Sequence, residues 1–223
     1  MKEGILIINK PSGMTSHDVV DFVRKRLKIK QVGHAGTLDP MATGVLIVLV
    51  GRYTKLFKHF LKFDKEYVAC LTLGIKTNTG DSQGEIICRQ DIGDISEEKI
   101  KDIFSSYTGQ IIQIPPMVSA IRHKGERLYE LARRGIEIER SPRKVTIKQL
   151  RLLEFDPPNI KFYLNCSTGT YVRQLGEDIA RDLGSVGYIS EIQRHSVGPY
   201  SIEQAIFLSQ IDETRLIRDL LIG

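Results

Sequence analysis

The chain is short of cysteine, of long apolar runs and of nucleotide-binding or metal-binding motifs, and each shortage excludes a class of protein. Its three cysteines, Cys70, Cys88 and Cys166, lie far apart and form no CxxC pair. That argues against a disulfide framework or a zinc site and makes a reducing cytoplasm the expected compartment. The longest apolar run, Val45 to Val50, is strand length, well below the roughly 20 residues of a membrane span, so no membrane partner is expected. The opening MKEGILIINK holds an apolar stretch too short for a secretory signal and no small-residue cleavage site. No Gly-Lys-Ser/Thr is present, which excludes a P-loop. No His/Cys/Asp set has metal-ligand spacing, so neither a metal nor a cofactor is expected.

With 41% hydrophobic and 26% charged residues over 223 positions, the chain has a globular composition rather than a disordered one. The net charge of +5 is modest, but it is concentrated. Between Met117 and Arg151 there are ten Lys/Arg and four Glu, whereas the remainder balances 22 against 23. One segment carries the whole excess, as on a polyanion-facing surface grafted onto a neutral body; a solvated basic face reads the same way.

Strands are expected at Ile5–Ile8, Val45–Val50, Glu66–Leu73, Glu85–Arg89, Val118–Arg122, Arg143–Phe155, Ile160–Cys166 and Tyr188–Val197. Helices are expected from Ser16 as N-cap to Leu27, near Thr54–Leu61, from Ser96 to Gly109, at Glu126–Arg134, at Thr170–Leu183 and at Ile211–Leu221. Gly33 to Gly44 reads as a long loop. Strands follow one another without strict βαβ alternation, which predicts an α+β fold with a mixed or antiparallel sheet flanked by helices.

The loop Gly33-His34-Ala35-Gly36-Thr37-Leu38-Asp39-Pro40 places an imidazole and a carboxylate five residues apart among glycines. Glycine lets backbone approach a ligand closely, and a residue before proline is held extended, so Asp39 can project from a rigid turn. By itself the stretch also reads as an Asx-turn beside a solvated histidine.

GHAGTLDPMATGVL, preceded by GILIINKPSGMTSHDVV, resembles the TruB family of tRNA pseudouridine-55 synthases. Further matches follow in order: KEYVACLTLG, DSQGEI, IPPMVSAIRHKGERLYELARRG and CSTGTYVRQLGEDIA. The resemblance covers the chain from Gly4 onward. It implies a pseudouridine-synthase-like catalytic domain over residues 1–223 with a basic RNA-binding thumb inserted at about 113–142. Family members usually continue into a C-terminal PUA domain, and none is expected within this sequence.

The resemblance makes Asp39 the catalytic carboxylate. Tyr67, which alone reads as a core aromatic, becomes the tyrosine that stacks on the target base. His34 becomes a contact to the flipped nucleotide, and Lys10 a support for the active-site loop. Arg173 is legible without the family. A cation in the first turn of a helix opposes the dipole, so a carboxylate or phosphate partner is expected; the resemblance supplies Asp39. The basic segment becomes the RNA grip, with Arg122, Lys124, Arg127, Arg133 and Arg134 on phosphates. The implied activity is isomerisation of the T-loop uridine of tRNA, with the T-arm as partner and no obligate protein partner. Two rivals are an RNA-guided synthase subunit and a non-catalytic tRNA-binding or folding factor on the same scaffold.

Overall fold

The two most apolar runs of the chain lie side by side: β1 (Gly4–Lys10) pairs antiparallel with the strand holding Val45–Val50, Ile5 opposite Leu49 and Ile8 opposite Leu46. The computed structural model describes residues 2–119, 121–123 and 125–218, without the side chains of Arg122 and Arg133. After β1 come α1 (Ser16–Leu27), β2 (Val32–Ala35), β3 (Thr43–Val50), α2 (Phe57–Leu61), β4 (Lys65–Leu73), β5 (Ile75–Thr77) and β6 (Ile86–Arg89). Then follow α3 (Glu97–Tyr107), β7 (Gly109–Gln113), β8 (Arg122–His123), β9 (Glu126–Arg127), α4 (Leu128–Arg133) and β10 (Arg143–Asp156). The last elements are β11 (Asn159–Cys166), α5 (Val172–Asp182), β12 (Gly187–Val197) and β13 (Tyr200–Ser201). The chain forms two compact units, one of Met1–Val68 with Ile192–Gly223 and one of Ala69–Glu191.

In the first unit β3 is central. It pairs antiparallel with β1 and with β2, and parallel with β12 where Arg194 faces Gly44. Every β3 residue from Gly44 to Val50 is buried, the pattern of a strand covered on both faces. Ile5, Ile7, Val45, Ile47 and Leu49 form a core with Phe60, Val197 and Tyr200. Helix α1 buries Val19, Val20, Val23 and Leu27 along one stripe. Its cap is Thr15 rather than the expected Ser16. Thr15 Oγ1 accepts from the Asp18 amide at 3.1 Å, and the Asp18 carboxylate accepts from the Thr15 amide at 2.8 Å, a reciprocal capping box. The Ser16 hydroxyl is used elsewhere.

The helix expected at Ile211–Leu221 is absent over its described part; residues 219–221 lie outside the described residues. A single 3₁₀ turn at Glu213–Arg215 leads instead to Ile217, which exchanges two 2.9 Å backbone hydrogen bonds with Ile5. Ile206 does the same between Ile7 and Asn9. The edge of β1 carries backbone donors and acceptors that need partners, and satisfying them outweighs the local helical pattern.

In the second unit the strand order is β12-β4-β11-β10-β7, with β5–β6 and β8–β9 as separate ribbons. Helix α3, capped by Ser96, buries Ile100 and Phe104, and Phe104 meets Phe162 edge-on at 5.9 Å. Helix α5 buries Leu175, Gly176 and Ile179. A Cβ on Gly176 would lie 2.6 Å from Ile189 Cδ1, so any larger residue there would have to displace the buried Ile189 side chain. Sequence reasoning missed β7, and it placed a strand at Val118–Arg122 where, among the described residues, only Arg122 enters a ribbon. Pro115 and Pro116 offer no amide hydrogens, so pairing with β10 stops at Gln113 and the chain turns away.

Candidate active site

Asp39 sits on a loop whose backbone is tethered residue by residue to the first unit. The Gly36 and Thr37 carbonyls accept from the Arg194 guanidinium at 3.1 and 3.4 Å. The Leu38 carbonyl accepts from Ser16 Oγ at 3.1 Å, and Ser16 Oγ accepts from the Leu38 amide at 2.9 Å. The Asp39 carbonyl accepts from the Ala42 amide at 3.0 Å. Pro40 accepts from the Gly13 amide at 2.8 Å and from Lys10 Nζ at 3.2 Å, and Met41 accepts from Ser12 Oγ at 3.2 Å. Every carbonyl from Gly36 to Met41 is therefore engaged. The half-buried Asp39 carboxylate leaves a backbone with little freedom to turn it.

Lys10 is fully buried, and its ammonium also donates to Pro11 O at 2.8 Å and Met14 O at 2.7 Å. Burial pushes it down from 10.5 to about 8; Asp39 pulls it back up, Arg194 pushes it further down and Asp18 raises it slightly. At neutral pH it remains a cation joining the Pro11–Met14 turn to Pro40. His34 is half-buried in β2 opposite Val48. Tyr67 lies in β4 with 8% of its surface exposed. The first unit thus holds Lys10, His34, Asp39 and Tyr67.

The second unit holds Arg173, the second residue of α5, at 4% exposure. Its guanidinium donates to Thr79 O and Val118 O, both at 2.8 Å, and its Nε lies 3.6 Å from Asp81 Oδ2. Asp81 is itself buried and accepts from Thr79 Oγ1 at 2.6 Å and from the Gln83 amide at 3.0 Å. The carboxylate that the helix dipole calls for is thus present within the same unit. Through Val118 the guanidinium also grips the root of the basic segment.

In that segment Arg127 donates to Tyr129 Oη at 3.1 Å and sits 5.8 Å from its ring centroid, while Arg134 pairs with Glu126 at 2.9 Å. The backbones of Arg122 and Arg133 belong to β8 and α4. Lys124, and the side chains of Arg122 and Arg133, lie outside the described residues. Sequence reasoning missed Asp81, Ser16 and Arg194. Asp81 stands in DSQGEI, which entered only as part of the resemblance, with no role for its carboxylate.

The fold matches that of a chain in the crystal structure of a Cbf5-Nop10-Gar1 complex with a TM-score of 0.73 and 31% identity, over 92% of this chain and 52% of that one. A chain in an H/ACA RNP bound to a substrate RNA containing 2'-deoxyuridine matches with a TM-score of 0.70 at 28% identity. This chain spans about half the length of those solved chains. Residues 24–172 match the TruB family pseudouridylate synthase (N terminal domain). Among the relatives, tRNA pseudouridine synthase B of Clostridium tetani is 46% identical over 96% of this chain and 74% of its own. That of Syntrophotalea carbinolica is 44% identical over 94% and 68%, and that of Endomicrobium trichonymphae 40% identical over 98% and 96%. Fold and sequence together define a pseudouridine synthase domain. The chain belongs to the TruB family of pseudouridylate synthases. Among the described residues no helix is long and apolar enough to cross a membrane.

Proposed function

We propose that this chain isomerises the T-loop uridine at position 55 of tRNA to pseudouridine, holding the T-arm and acting without a guide RNA. The observation that carries this reading is the loop of Asp39, tethered at every carbonyl from Gly36 to Met41. So rigid a mounting suits a carboxylate that must meet one atom of a flipped nucleotide. The choice of tRNA is supported by relatives named tRNA pseudouridine synthase B at 40–46% identity, against 28–31% for the chains of the Cbf5 and H/ACA complexes.

In the reaction the N1–C1′ bond breaks, the base turns and a C5–C1′ bond forms. C5 gives up its proton and N1 gains one, so atoms balance without any co-reactant. Asp39 serves as nucleophile or as counter-charge to an oxocarbenium-like sugar. Tyr67 stacks on the base and takes the C5 proton, and His34 contacts the flipped nucleotide. Arg173 serves as the cationic partner that aims Asp39, with Asp81 orienting Arg173 in turn. Residues 1–223 act as one catalytic domain, and the segment at about 113–142 sets the RNA in register through phosphates, Arg122, Lys124, Arg127, Arg133 and Arg134 included.

The test is release of tritium from C5-labelled uridine in a bare T-arm hairpin by the purified chain. One released tritium per hairpin, from the T-loop, is the expected result. Release only with added guide RNA and protein partners favours the RNA-guided rival. Tight binding without any release favours the non-catalytic factor.

A further inference from the structure

Arg194 has the largest fully buried side chain among the described residues, at 1% exposure, and no role in the scheme above. It sits in β12 at the parallel step onto β3, opposite Gly44. Its guanidinium enters the Asp39 loop from both ends: Nε donates to Val45 O at 2.7 Å, while the two terminal nitrogens take Gly36 and Thr37. The close approach is built in. Gly44 has φ +98°, and a Cβ there would overlap the Arg194 carbonyl; Gly36 has φ +89°, with its Cβ site 3.7 Å from the guanidinium.

All three acceptors are neutral carbonyls, and among the described residues no carboxylate lies within ion-pair distance of Arg194. A buried cation held this way is an expensive means of satisfying three carbonyls. Elsewhere in the same loop, uncharged serine hydroxyls do that work at Leu38 and Met41. What the guanidinium adds is a rigid planar fork with donors in fixed directions. Such a fork can set the distance between Thr37 and Val45, and hence the path of the residues between them.

We infer that Arg194 is a positioning residue for the pseudouridine reaction: its fork fixes the path of the 36–45 loop and thereby the place of the Asp39 carboxylate. The inference rests on Asp39 as the reacting carboxylate. It assigns no contact between Arg194 and RNA.

The experiment compares the full chain with Arg194→Lys, which keeps the charge but not the fork. Single-turnover rate, hairpin affinity and amide hydrogen exchange over residues 36–45 are read on each. The rate should fall about 100-fold, the loss expected of a misplacement near 1 Å, with affinity within about threefold and exchange accelerated in 36–45 but not in β1. If Arg194→Lys does not fold, Arg194→Gln, planar but shorter and uncharged, is read in the same way. A rate within about threefold of wild type overturns the inference, as does a lost rate with loop protection unchanged. Asp39→Asn separates the two readings: activity in that variant overturns the catalytic assignment, while the exchange data still judge the fork.

Discussion

The ammonium of Lys10 donates to the carbonyl of Pro40, the residue next to Asp39, at 3.2 Å. A fully buried lysine is thereby tied to the loop that carries the carboxylate, and its depressed pKa has a measurable consequence. In the fold it titrates near 8, against 10.5 when unfolded. Between those values the unfolded chain binds more protons, so stability rises with pH across that window, by on the order of 3 kcal/mol in all. Lys10→Met removes the titration. The unfolding free energy of wild type minus that of Lys10→Met should therefore grow from pH 7.5 to pH 10 in urea melts. A flat difference means that Lys10 titrates alike in both states.

Asp39→Asn keeps the shape of the side chain and leaves the loop's tethers in place, since all of them engage the loop's backbone rather than the Asp39 carboxylate. Folding and hairpin affinity should stay near wild type. The turnover rate should fall by on the order of 10⁴-fold or more, because an amide neither attacks nor balances a developing positive charge. Wild-type turnover would remove Asp39 from the chemistry.

Arg173→Ala strips a buried carboxylate of its cation and two carbonyls of their donor. The cost should be about 3–5 kcal/mol of stability, together with a severe loss of rate. Asp81→Asn keeps an oxygen for Thr79 and for the Gln83 amide but turns an amide NH2 towards the buried guanidinium, so a loss of about 3 kcal/mol is expected. In a double-mutant cycle by urea denaturation the two changes should be strongly non-additive. Additive losses would mean that the 3.6 Å pair contributes nothing of its own.

How much of this was legible in the sequence depends on whether local pattern or distant partners decided each element. The apolar runs of β1 and β3 and the stripe of α1 announce themselves, since burial alone fixes them. Asp39 stands out because proline and glycines crowd around it. The cap at Thr15 was misplaced by one residue because the Ser16 hydroxyl is drawn to Leu38, 22 residues away. The C-terminal helix failed for the same kind of reason: the edge of β1, some 200 positions earlier, claims Ile206 and Ile217. Arg194 looked like one more polar residue in a strand. Its inward phase, shared with Ile192, was the signal that could have marked it.

The exposed pair of Glu126 and Arg134 bears on where RNA phosphates sit. At 2.9 Å, with both side chains about half exposed (55% and 52%), the pair should contribute less than about 1 kcal/mol to stability. Glu126→Ala should therefore leave the fold intact. It also frees Arg134 and removes an anion from a surface read as phosphate-facing, so hairpin affinity should tighten, by about three- to tenfold, with a steeper dependence on salt. Arg134→Ala should do the reverse, flattening the slope of log K against log salt by somewhat under one unit. Saturated turnover should stay normal in both, because a phosphate contact positions the RNA without entering the chemistry. Filter-binding titrations over a salt series decide the matter. If Glu126→Ala and Arg134→Ala both leave affinity and slope unchanged, the RNA backbone does not lie along β9 and α4, and the grip must be placed on another surface.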